Sequence, residues 1–454
     1  MSRDVEEYVR SLGLDAYVVG GAVRDELLGG EAKDADFLVP GVDIDGLRAA
    51  LAPHGRSEEL VVAGRPVGVR FRPDDRRIRE RVPAGIELAP PRREMSVGPG
   101  RHDFDIVVDP AATVEEDLAR RDFTVNAMAR RLEDGTLLDP FGGREDLAAG
   151  VLRTVTPRSF AEDPLRIVRG LRFVSQLGFE PDAHTLAQMR EHAESVRLVS
   201  GERIGGGLAA DGLGELSKLL LGTQPARALR LARDTGVLVA LIPEFAPAIG
   251  HDPASSDHAL TVDEHIFLVV QAAADAGATL RVRLATLLHD LGKPHASIVE
   301  HAAAGAAIAD TVLRRLRYPN ELRRYVVELV RIHPFLLERG DALEARRLLA
   351  AHGDQLVLDL LEHWQADVTG RDATPAQARK LERIARFREV VDAERDNPHR
   401  LGDLAVDGDD LLALGYREGP AVGRTLQTLL DEVVEDPRRN ERDILLERAA
   451  ELRS

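Results

Sequence analysis

Residues 20–39 read GGAVRDELLGGEAKDADFLV, and this stretch decides the fold of the N-terminal part of the chain. Two adjacent glycines open it, Arg24 follows, and the carboxylates of Asp34 and Asp36 lead into an apolar run. On an extended strand, residues two apart point to the same face, so we expect Asp34 and Asp36 to present paired carboxylates. The double glycine lets backbone amides approach phosphate oxygens, with Arg24 close enough to assist.

Paired carboxylates of this kind can hold divalent cations. Mg²⁺ prefers oxygen ligands, and two such ions can activate an attacking hydroxyl and neutralise a leaving pyrophosphate during nucleotidyl transfer. Taken alone, an Asp-x-Asp pair is more often a solvated turn or a helix cap, and a double glycine is more often a turn. The interpretation therefore depends on the rest of the chain.

The bulk composition limits the class of protein. The length of 454 residues exceeds what one hydrophobic core usually holds and predicts two or three domains. Apolar residues make up 44% and charged residues 30%, and no apolar run is long enough to cross a bilayer, so we expect a cytoplasmic protein without a membrane partner. The chain has no cysteine, which excludes a disulfide-linked partner and leaves His, Asp and Glu as metal ligands.

The formal net charge of -17 argues against binding of nucleic acid by the whole surface. If RNA binds, the chain must concentrate basic side chains locally, because phosphate contacts require Lys or Arg.

The order of patterns along the chain predicts an α+β protein. Short β-branched runs such as Tyr17–Val19 and Phe104–Val108 alternate with Gly, Pro and Asp up to about residue 140. From about residue 159 onward the apolar residues fall at helical spacing. Glycines at residues 205–214 interrupt the helical pattern, and a Pro- and Asp-rich segment at residues 243–258 predicts a domain boundary.

Three further motifs follow the first stretch. They read DLARRDFTVNAMA at residues 117–129, DPFGG at residues 139–143 and EDPLRIVR at residues 162–169. In this order the four motifs resemble the bacterial class II tRNA nucleotidyltransferase and poly(A) polymerase family, which includes the CCA-adding enzymes, within the polymerase β-like superfamily. The resemblance is dense over residues 17–177 and looser beyond.

The resemblance implies roles for individual residues. It assigns catalysis and Mg²⁺ binding to Asp34 and Asp36, and Glu87 falls where the superfamily carries a third carboxylate. It assigns nucleotide binding to Gly21, Arg24, Arg121, Asp122, Asn126, Asp163, Arg166 and Arg169.

The motif at residues 162–169 can select a base. If residues 162–173 form a helix, Asp163, Arg166 and Arg169 lie along one side, because they are three residues apart. A carboxylate accepts from an exocyclic amine and a guanidinium donates to a ring nitrogen or carbonyl, a pattern that matches C and A but not G or U. The alternative is a set of ion pairs on a helix surface, and the other motifs favour base selection.

A second group of residues predicts a metal site. The sequence HDLGK at residues 289–293, preceded by His265 and followed by Asp367, resembles the HD superfamily of metal-dependent phosphohydrolases. That resemblance implies a second divalent metal held by His265, His289, Asp290 and Asp367, in a domain that is either active or architectural. His301 and His333 are candidates for further ligands, but we expect each to lie at a helix surface instead.

Together these resemblances imply a polymerase β-like head with a mixed sheet at residues 1–156, followed by helical parts only. These parts are a neck at residues 157–242 that binds base and RNA, an HD body at residues 243–373 and a tail at residues 374–454.

The function that we predict is template-independent addition of CCA to the 3′ end of tRNA from CTP and ATP, with release of pyrophosphate. Within this class, a poly(A) polymerase or an A-only or C-only enzyme shares the same motifs. From a different class, the alternative is an HD phosphohydrolase whose N-terminal half binds nucleotide or RNA.

Overall fold

The computed structural model describes residues 3–30, 36–62, 64–96, 104–206, 212–252, 260–297, 300–334, 337–371 and 373–453. The chain divides into two compact units, one of residues 1–204 with 227–241 and one of residues 205–226 with 242–454. The four domains expected from the sequence remain a prediction.

The strands of the described residues all lie in the first unit. They are β1 (Tyr17–Val19), β2 (Asp36–Leu38), β3 (Gly55–Val62), β4 (Arg65–Pro73), β5 (Ile86–Ala89), β6 (Arg92–Ser96), β7 (Phe104–Val108), β8 (Ala129–Arg131), β9 (Leu137–Leu138), β10 (Val151–Leu152) and β11 (Glu180–Pro181).

Seven of these strands form one mixed sheet in the order β3-β4-β5-β2-β1-β8-β9. Only the β2–β5 pair is parallel among the pairs of this sheet in the described part of the chain, and it places Asp36 opposite Glu87. Val18 and Phe37 are cross-strand partners in the fully buried centre. The mixed sheet predicted for the head is therefore confirmed.

Helices make up most of the remaining structure. Those that begin before residue 242 are α1 (Arg3–Ser11), α2 (Gly21–Leu27), α3 (Ile44–Leu51), α4 (Arg76–Arg81), α5 (Val114–Ala119), α6 (Gly143–Ala149), α7 (Ser159–Glu162), α8 (Leu165–Leu177), α9 (Ala183–Glu191), α10 (Gly201–Ile204), α11 (Glu215–Leu220), α12 (Pro225–Asp234) and α13 (Val237–Leu241). Short 3-10 turns cover Thr124–Asn126 and Ala193–Leu198.

The break expected at the glycines of residues 205–214 is confirmed at its two ends. Helix α10 ends at Ile204 and helix α11 begins at Glu215, while residues 207–211 lie outside the described ones.

Helices are the main elements of the second unit among its described residues, beside one isolated β-bridge between Gly206 and Leu213. Its helices after residue 242 are α14 (Val262–Asp275), α15 (Leu280–Leu288), α16 (His301–Arg315), α17 (Asn320–Ile332), α18 (Ala342–His352), α19 (Asp354–Thr369), α20 (Pro375–Glu394), α21 (Gly408–Ala413), α22 (Pro420–Glu435) and α23 (Arg442–Arg453), with 3-10 turns at Pro243–Ala248, Leu401–Asp403 and Pro437–Arg439.

Two glycines explain how α16 packs against the turn after α15. A Cβ atom at Gly292 would lie 2.1 Å from the carbonyl oxygen of His301, and one at Gly305 would lie 2.8 Å from that of His289. Only glycine permits backbones to approach this closely. The HDLGK turn and α16 are thereby held in direct contact.

The last helices form a core of their own. Val406, Leu411, Leu429, Val433 and Leu445 pack together, and each is nearly or fully buried. In the described part of the chain we find no helix with both the length and the apolar composition needed to cross a bilayer.

Candidate active site and metal centre

A cleft of about 850 Å³ lies in the first unit. Its walls come from the start of α2, strands β2 to β5, the segment between α5 and the 3-10 turn, and helix α8. The cleft brings together nearly all residues to which the sequence assigned roles: Gly21, Arg24, Asp36, Arg121, Asp122, Asn126, Asp163, Arg166 and Arg169. Asp34 lies outside the described residues. The individual roles stay predictions, now with a common location.

The lining of the cleft is strongly basic. Nine arginines stand against six carboxylates among its described residues. Its arginines are Arg24, Arg70, Arg92, Arg120, Arg121, Arg166, Arg169, Arg172 and Arg203. A chain with a net charge of -17 thus concentrates positive charge in this cleft, which favours an anionic ligand. Five of these arginines had no role in the sequence analysis: Arg70, Arg92, Arg120, Arg172 and Arg203.

Asp36 and Glu87 form the acidic side of the cleft. The two residues are partners in the parallel β2–β5 pair, Asp36 is exposed, and Glu87 accepts hydrogen bonds from Arg70 at 2.6 and 3.2 Å. Carboxylate oxygens on adjacent strands are the ligands that Mg²⁺ prefers. The donor set therefore fits a hard divalent cation.

A chain of hydrogen bonds connects the glycine loop to α8. Arg24 Nη1 donates to Asn126 Oδ1 at 2.6 Å, Asn126 Nδ2 donates to Asp122 Oδ1 at 2.9 Å, and Arg169 Nε donates to Asp122 Oδ2 at 2.8 Å. Burial raises the pKa of Asp122, but Arg169, Asn126 and the N–H of Phe123 outweigh it and lower this pKa to about 2. Asp122 is therefore an ionised anchor that holds one arginine directly and a second through Asn126.

Asp117 is an anchor that the sequence analysis left without a role. Its carboxylate is fully buried, with Arg120 Nη2 at 2.7 Å, Arg121 Nη2 at 3.3 Å and the backbone N–H of Arg92 at 3.2 Å. Burial raises the pKa of Asp117, and the two guanidinium groups lower it on balance. The spacing of three and four residues before the Arg-Arg pair was the available signal, since such residues are neighbours on a helix.

Gly20 leaves the space that Arg121 occupies. Its backbone has φ 71° and ψ -130°, and a Cβ atom there would lie 2.4 Å from Arg121 Nη1. Glycine at position 20 therefore suits both the backbone turn and the position of the Arg121 guanidinium.

The helix expected over residues 162–173 is interrupted. Asp163 has an extended backbone between α7 and α8, because the ring of Pro164 disfavours a helical conformation at the preceding residue. Asp163 therefore lies at the junction rather than on the helical face that carries Arg166 and Arg169.

Arg166 is buried and largely engaged by the protein. Its Nη2 donates to the carbonyl oxygen of Arg120 at 2.6 Å, and its Nη1 lies 3.0 Å from Ser159 Oγ and 3.4 Å from Glu162 Oε2. Among the described residues, this leaves Nε–H and one hydrogen of Nη2 for a ligand.

In the second unit, the four predicted metal ligands lie together. His265 Nε2 is 3.0 Å from Asp367 Oδ1 and 3.4 Å from Asp290 Oδ2, and His289 Nε2 is 3.1 Å from Asp290 Oδ2. These side chains come from α14, the end of α15 and α19, and all four residues are buried. One atom each of His265, His289 and Asp290 could ligate a single ion.

The expectation that His301 and His333 lie at helix surfaces is wrong. Both are buried, their Nε2 atoms are 3.2 Å apart, and they lie 3.6 and 3.7 Å from Asp290 Oδ1. The close approach of α16 permitted by Gly292 and Gly305 brings His301 inward. His301, His333 and Asp290 form a second set of potential ligands that shares Asp290 with the first.

His363 completes what we call the histidine cluster: His265, His289, Asp290, His301, His333, His363 and Asp367. His363 is fully buried, and its ring centroid lies 5.1 Å from that of His289 and 5.5 Å from that of His333. The sequence analysis missed it, although it stands one helical turn before Asp367 on α19.

The cluster contains polar atoms that the protein does not satisfy. Among the described residues, Asp290 Oδ1 and both ring nitrogens of His363 have no hydrogen-bond partner. Leaving such groups buried costs about 1–3 kcal/mol each, more when charged. Burial opposes ionisation of Asp290, yet His289 and Lys293 hold its pKa well below the usual range. A buried, ionised and partly unsatisfied carboxylate among imidazoles fits a divalent transition metal.

Comparisons with known proteins identify the family. Residues 16–153 match the model of the "Poly A polymerase head domain", residues 178–249 that of the "Probable RNA and SrmB- binding site of polymerase A", and residues 299–449 a tRNA nucleotidyltransferase domain 2 model. The chain is 37% identical over 382 residues to the multifunctional CCA protein of Chromobacterium violaceum, covering 79% of this chain and 85% of that protein. The chain belongs to the CCA-adding enzyme family.

Other relatives support this assignment. The multifunctional CCA protein of Azoarcus sp. is 39% identical over 71% of this chain and 74% of its own length. The crystal structure of the Bacillus stearothermophilus CCA-adding enzyme in complex with CTP matches with a TM-score of 0.69 and 26% identity, covering 99% and 95% of the two chains. The Thermotoga maritima CCA-adding enzyme complexed with tRNA shares the fold, with a TM-score of 0.58 and 21% identity over 99% of this chain and 94% of that one. The family and the α+β fold class expected from the motifs are confirmed.

Proposed function

We propose that the protein adds C and A nucleotides to the 3′ end of tRNA, taking them from CTP and ATP and releasing pyrophosphate. The 3′-hydroxyl oxygen of the RNA forms a bond to the α-phosphorus of the nucleotide, and the bond from this phosphorus to the bridging oxygen breaks. The observation that carries the proposal is that Asp36 and all eight predicted nucleotide-binding residues line one cleft. Nine arginines line this cleft in total, and four of them are among those eight residues.

Different residues of the cleft bind the triphosphate, the metal ion and the base. The arginines, with Arg24, Arg121 and Arg169 held by acidic or amide partners, bind the triphosphate and keep it in line with the attacking oxygen. Mg²⁺ held by Asp34 and Asp36 would, when bound, activate the hydroxyl and neutralise the leaving pyrophosphate. Asp163 accepts from the exocyclic amine of C or A.

The test uses three tRNA transcripts that end before the first C, before the second C and before A, each incubated with one nucleotide at a time. We expect C on the first two transcripts and A on the third, with extension stopping after one complete CCA end. Long A tracts would identify a poly(A) polymerase, and incorporation of A alone or C alone would identify the corresponding specialised enzyme.

We propose in addition that the second unit binds a divalent metal and hydrolyses phosphate esters. The specific observation in favour is the histidine cluster, where His265, His289, Asp290 and Asp367 converge and Asp290 Oδ1 lacks a hydrogen-bond partner among the described residues. A second ion would have Asp290, His301 and His333 as ligands.

This second function is tested separately. Protein purified without chelator is assayed for bound Mn²⁺, Ni²⁺, Zn²⁺ and Mg²⁺, and for hydrolysis of a phosphomonoester and of a 2′,3′-cyclic nucleotide. We expect bound metal and metal-dependent release of product. Metal without hydrolysis would identify an architectural site, and absence of both would reject the proposal.

A further inference from the structure

Phe173 of helix α8 is an aromatic side chain in the wall of the basic cleft. The residue is 1% exposed and lines the cleft together with Arg24 and Arg172. The Cζ atom of Arg172 lies over the Phe173 ring at 4.6 Å from its centroid, and the Cζ atom of Arg24 lies over it at 5.1 Å. Both distances fall within the roughly 6 Å over which the face of a ring attracts a cation. One ring therefore contacts guanidinium groups from α2 and from α8.

Other aromatic side chains hold this ring in place. Phe173 packs against Phe123 edge to face, with ring centroids 5.8 Å apart and planes at 86°. Phe123 in turn packs against Phe160 at 6.2 Å, and both are fully buried. A ring enclosed in this way offers a rigid surface, because well-packed interiors leave no room for it to move aside.

Arg24 is restrained by the ring and by two polar partners. Its Nη1 donates to Asn126 Oδ1 at 2.6 Å, and its Nε and Nη2 donate to Asp25 Oδ1 at 2.9 and 2.7 Å. A guanidinium group has five N–H donors, so one hydrogen on Nη1 and one on Nη2 remain among the described residues. These two hydrogens can be donated to phosphate oxygens.

A ring restrains a guanidinium group differently from a carboxylate. A carboxylate cancels the positive charge that an anionic ligand requires, whereas a neutral ring attracts the cation and leaves its charge in place. The Arg24 side chain is only 12% exposed, and this attraction is stronger where water is excluded. The same ring attracts Arg172, although two guanidinium groups repel each other.

We infer that Phe173 is a positioning residue for the triphosphate, whose ring face holds Arg24 and Arg172 in the cleft without neutralising them. The inference rests on the proposed function, because it requires the cleft to bind the triphosphate of CTP or ATP. A side chain that only filled space in the core would depend on its size alone. A positioning ring depends on the electron density of its face as well.

Fluorination separates these two roles, because ring fluorines withdraw electron density from the face and change the size of the side chain little. Phenylalanine with one, two or three ring fluorines is inserted at position 173 of the full-length protein by amber suppression. We expect KM for CTP and ATP to rise with each fluorine, about tenfold in total, while kcat and the melting temperature stay close to wild type. Binding of inorganic tripolyphosphate, measured by calorimetry, should weaken in parallel.

The matched control is the same series at Phe71. Phe71 is fully buried in β4, stacks on Tyr8 with ring centroids 6.5 Å apart and does not line the cleft. Its fluorinated variants should keep the wild-type KM. Phe173→Leu removes the aromatic face, so it should raise KM at least as much as three fluorines do.

The results distinguish failure of the inference from failure of the proposed function. Wild-type protein that adds no nucleotide to tRNA refutes the proposed function, while tripolyphosphate binding still reports on the ring. An unchanged KM and unchanged tripolyphosphate binding along the series at position 173, in protein that adds CCA, refute the inference alone. An equal rise of KM in the Phe71 series also refutes it, because fluorine would then act through the packing of the first unit.

Discussion

In the cleft, the buried carboxylates of Asp117 and Asp122 accept hydrogen bonds from arginines at 2.7 to 3.3 Å, whereas in the histidine cluster Asp290 Oδ1 has no such partner among the described residues. Both regions bury negative charge, but the first compensates it with several arginines, whereas the cluster has Lys293 beside Asp290, Arg371 beside Asp367 and otherwise imidazoles. Arginine does not lose its proton in proteins, while the charge of an imidazole depends on its surroundings.

The two sites therefore differ in what a bound metal would contribute. In the cleft, the buried acids hold the arginines in place, and Asp36, which is exposed, is the carboxylate that we propose for a cation. In the cluster, the acids face imidazoles, and the pKa of His333 is lowered by burial and by His289 to about 3, which keeps its ring neutral and able to bind a metal. We therefore expect removal of metal to stop catalysis in the cleft but to change stability in the cluster.

The largest effect should follow Asp36→Ala. Because Asp36 is exposed, its loss leaves the core unchanged, but it removes a proposed ligand of the ion at the reacting phosphate. We expect nucleotide addition to slow about a thousandfold, equivalent to about 4 kcal/mol in the barrier, in single-turnover assays with CTP.

Asp74→Ala is the control, since it removes an exposed carboxylate that does not line the cleft. It should add nucleotides at the wild-type rate. Near-normal addition by Asp36→Ala would mean that the cleft does not hold the catalytic ion on this strand.

The second effect concerns the stability of the cluster. If a divalent ion binds only the folded state, free metal at about 100 times its Kd stabilises the second unit by about 2.7 kcal/mol. Chelation should therefore lower the melting temperature of wild-type protein. Asp290→Asn keeps the shape of the side chain but removes its charge, so this variant should bind less metal and melt at the same temperature with or without chelator.

His352→Gln, a change outside the cluster, should behave as wild type in this comparison. Asp290→Asn should still add nucleotides at a normal rate. A loss of addition in a folded variant would contradict two independent sites.

The sequence predicted those parts of both sites that local motifs contain. Asp36 begins a strand whose next two residues are apolar and buried, and the His289-Asp290 pair with the following Leu-Gly-Lys indicates an HD turn, so both can be found from the sequence. The burial of His301 could not be found this way. It depends on Gly292, which has no side chain and so lets α16 approach the turn after α15. This contact between the backbones of Gly292 and His301 is a tertiary contact that no local sequence pattern predicts.

Two errors had signals in the sequence. Pro164 predicts that the preceding residue leaves the helix, so the continuous helix over residues 162–173 could have been rejected. Asp117 stands at helical spacing from two arginines, yet a lone Asp is usually solvated, and only its complete burial shows that it organises the cleft. Pairings between distant segments, such as Asp163 with Arg203, have no local pattern at all.

The third effect tests the guanidinium network by pH. The pKa of Asp122 falls from 3.8 to about 2 on folding, since its hydrogen bonds and Arg169 outweigh burial. Because its pKa is lower in the folded than in the unfolded state, ionised Asp122 contributes about 2 kcal/mol to the free energy of unfolding. This contribution is fully present well above pH 4 and is lost as pH falls through 2. The advantage of wild type over Asp122→Asn should therefore shrink to about half by pH 3.

Hydrogen exchange of α8 peptides in urea, at pH 7 and pH 3, measures this difference in the relevant unit. Asp74→Asn should lie close to wild type at both values. A difference that stays constant or grows at pH 3 would show that the Asn side chain disturbs packing rather than removing a charge.

The smallest effect distinguishes backbone strain from the position of Arg121. Gly20 and Gly13 have nearly the same φ, 71° and 72°, which is unfavourable for alanine, so each Gly→Ala change should cost at least about 1 kcal/mol of stability. At Gly13 a Cβ atom has nothing within 4 Å, whereas at Gly20 it would lie 2.4 Å from Arg121 Nη1.

Because Asp117 holds this guanidinium at 3.3 Å, displacing it breaks a contact inside the cleft. We therefore expect a loss in thermal unfolding for both variants, larger for Gly20→Ala because its ψ of -130° lies outside the left-handed helical region, and a fall in kcat/KM of about tenfold, or about 1.4 kcal/mol, in Gly20→Ala alone. Equal kinetic losses in the two variants would attribute the effect to strain in the head as a whole, and the requirement for glycine next to Arg121 would be refuted.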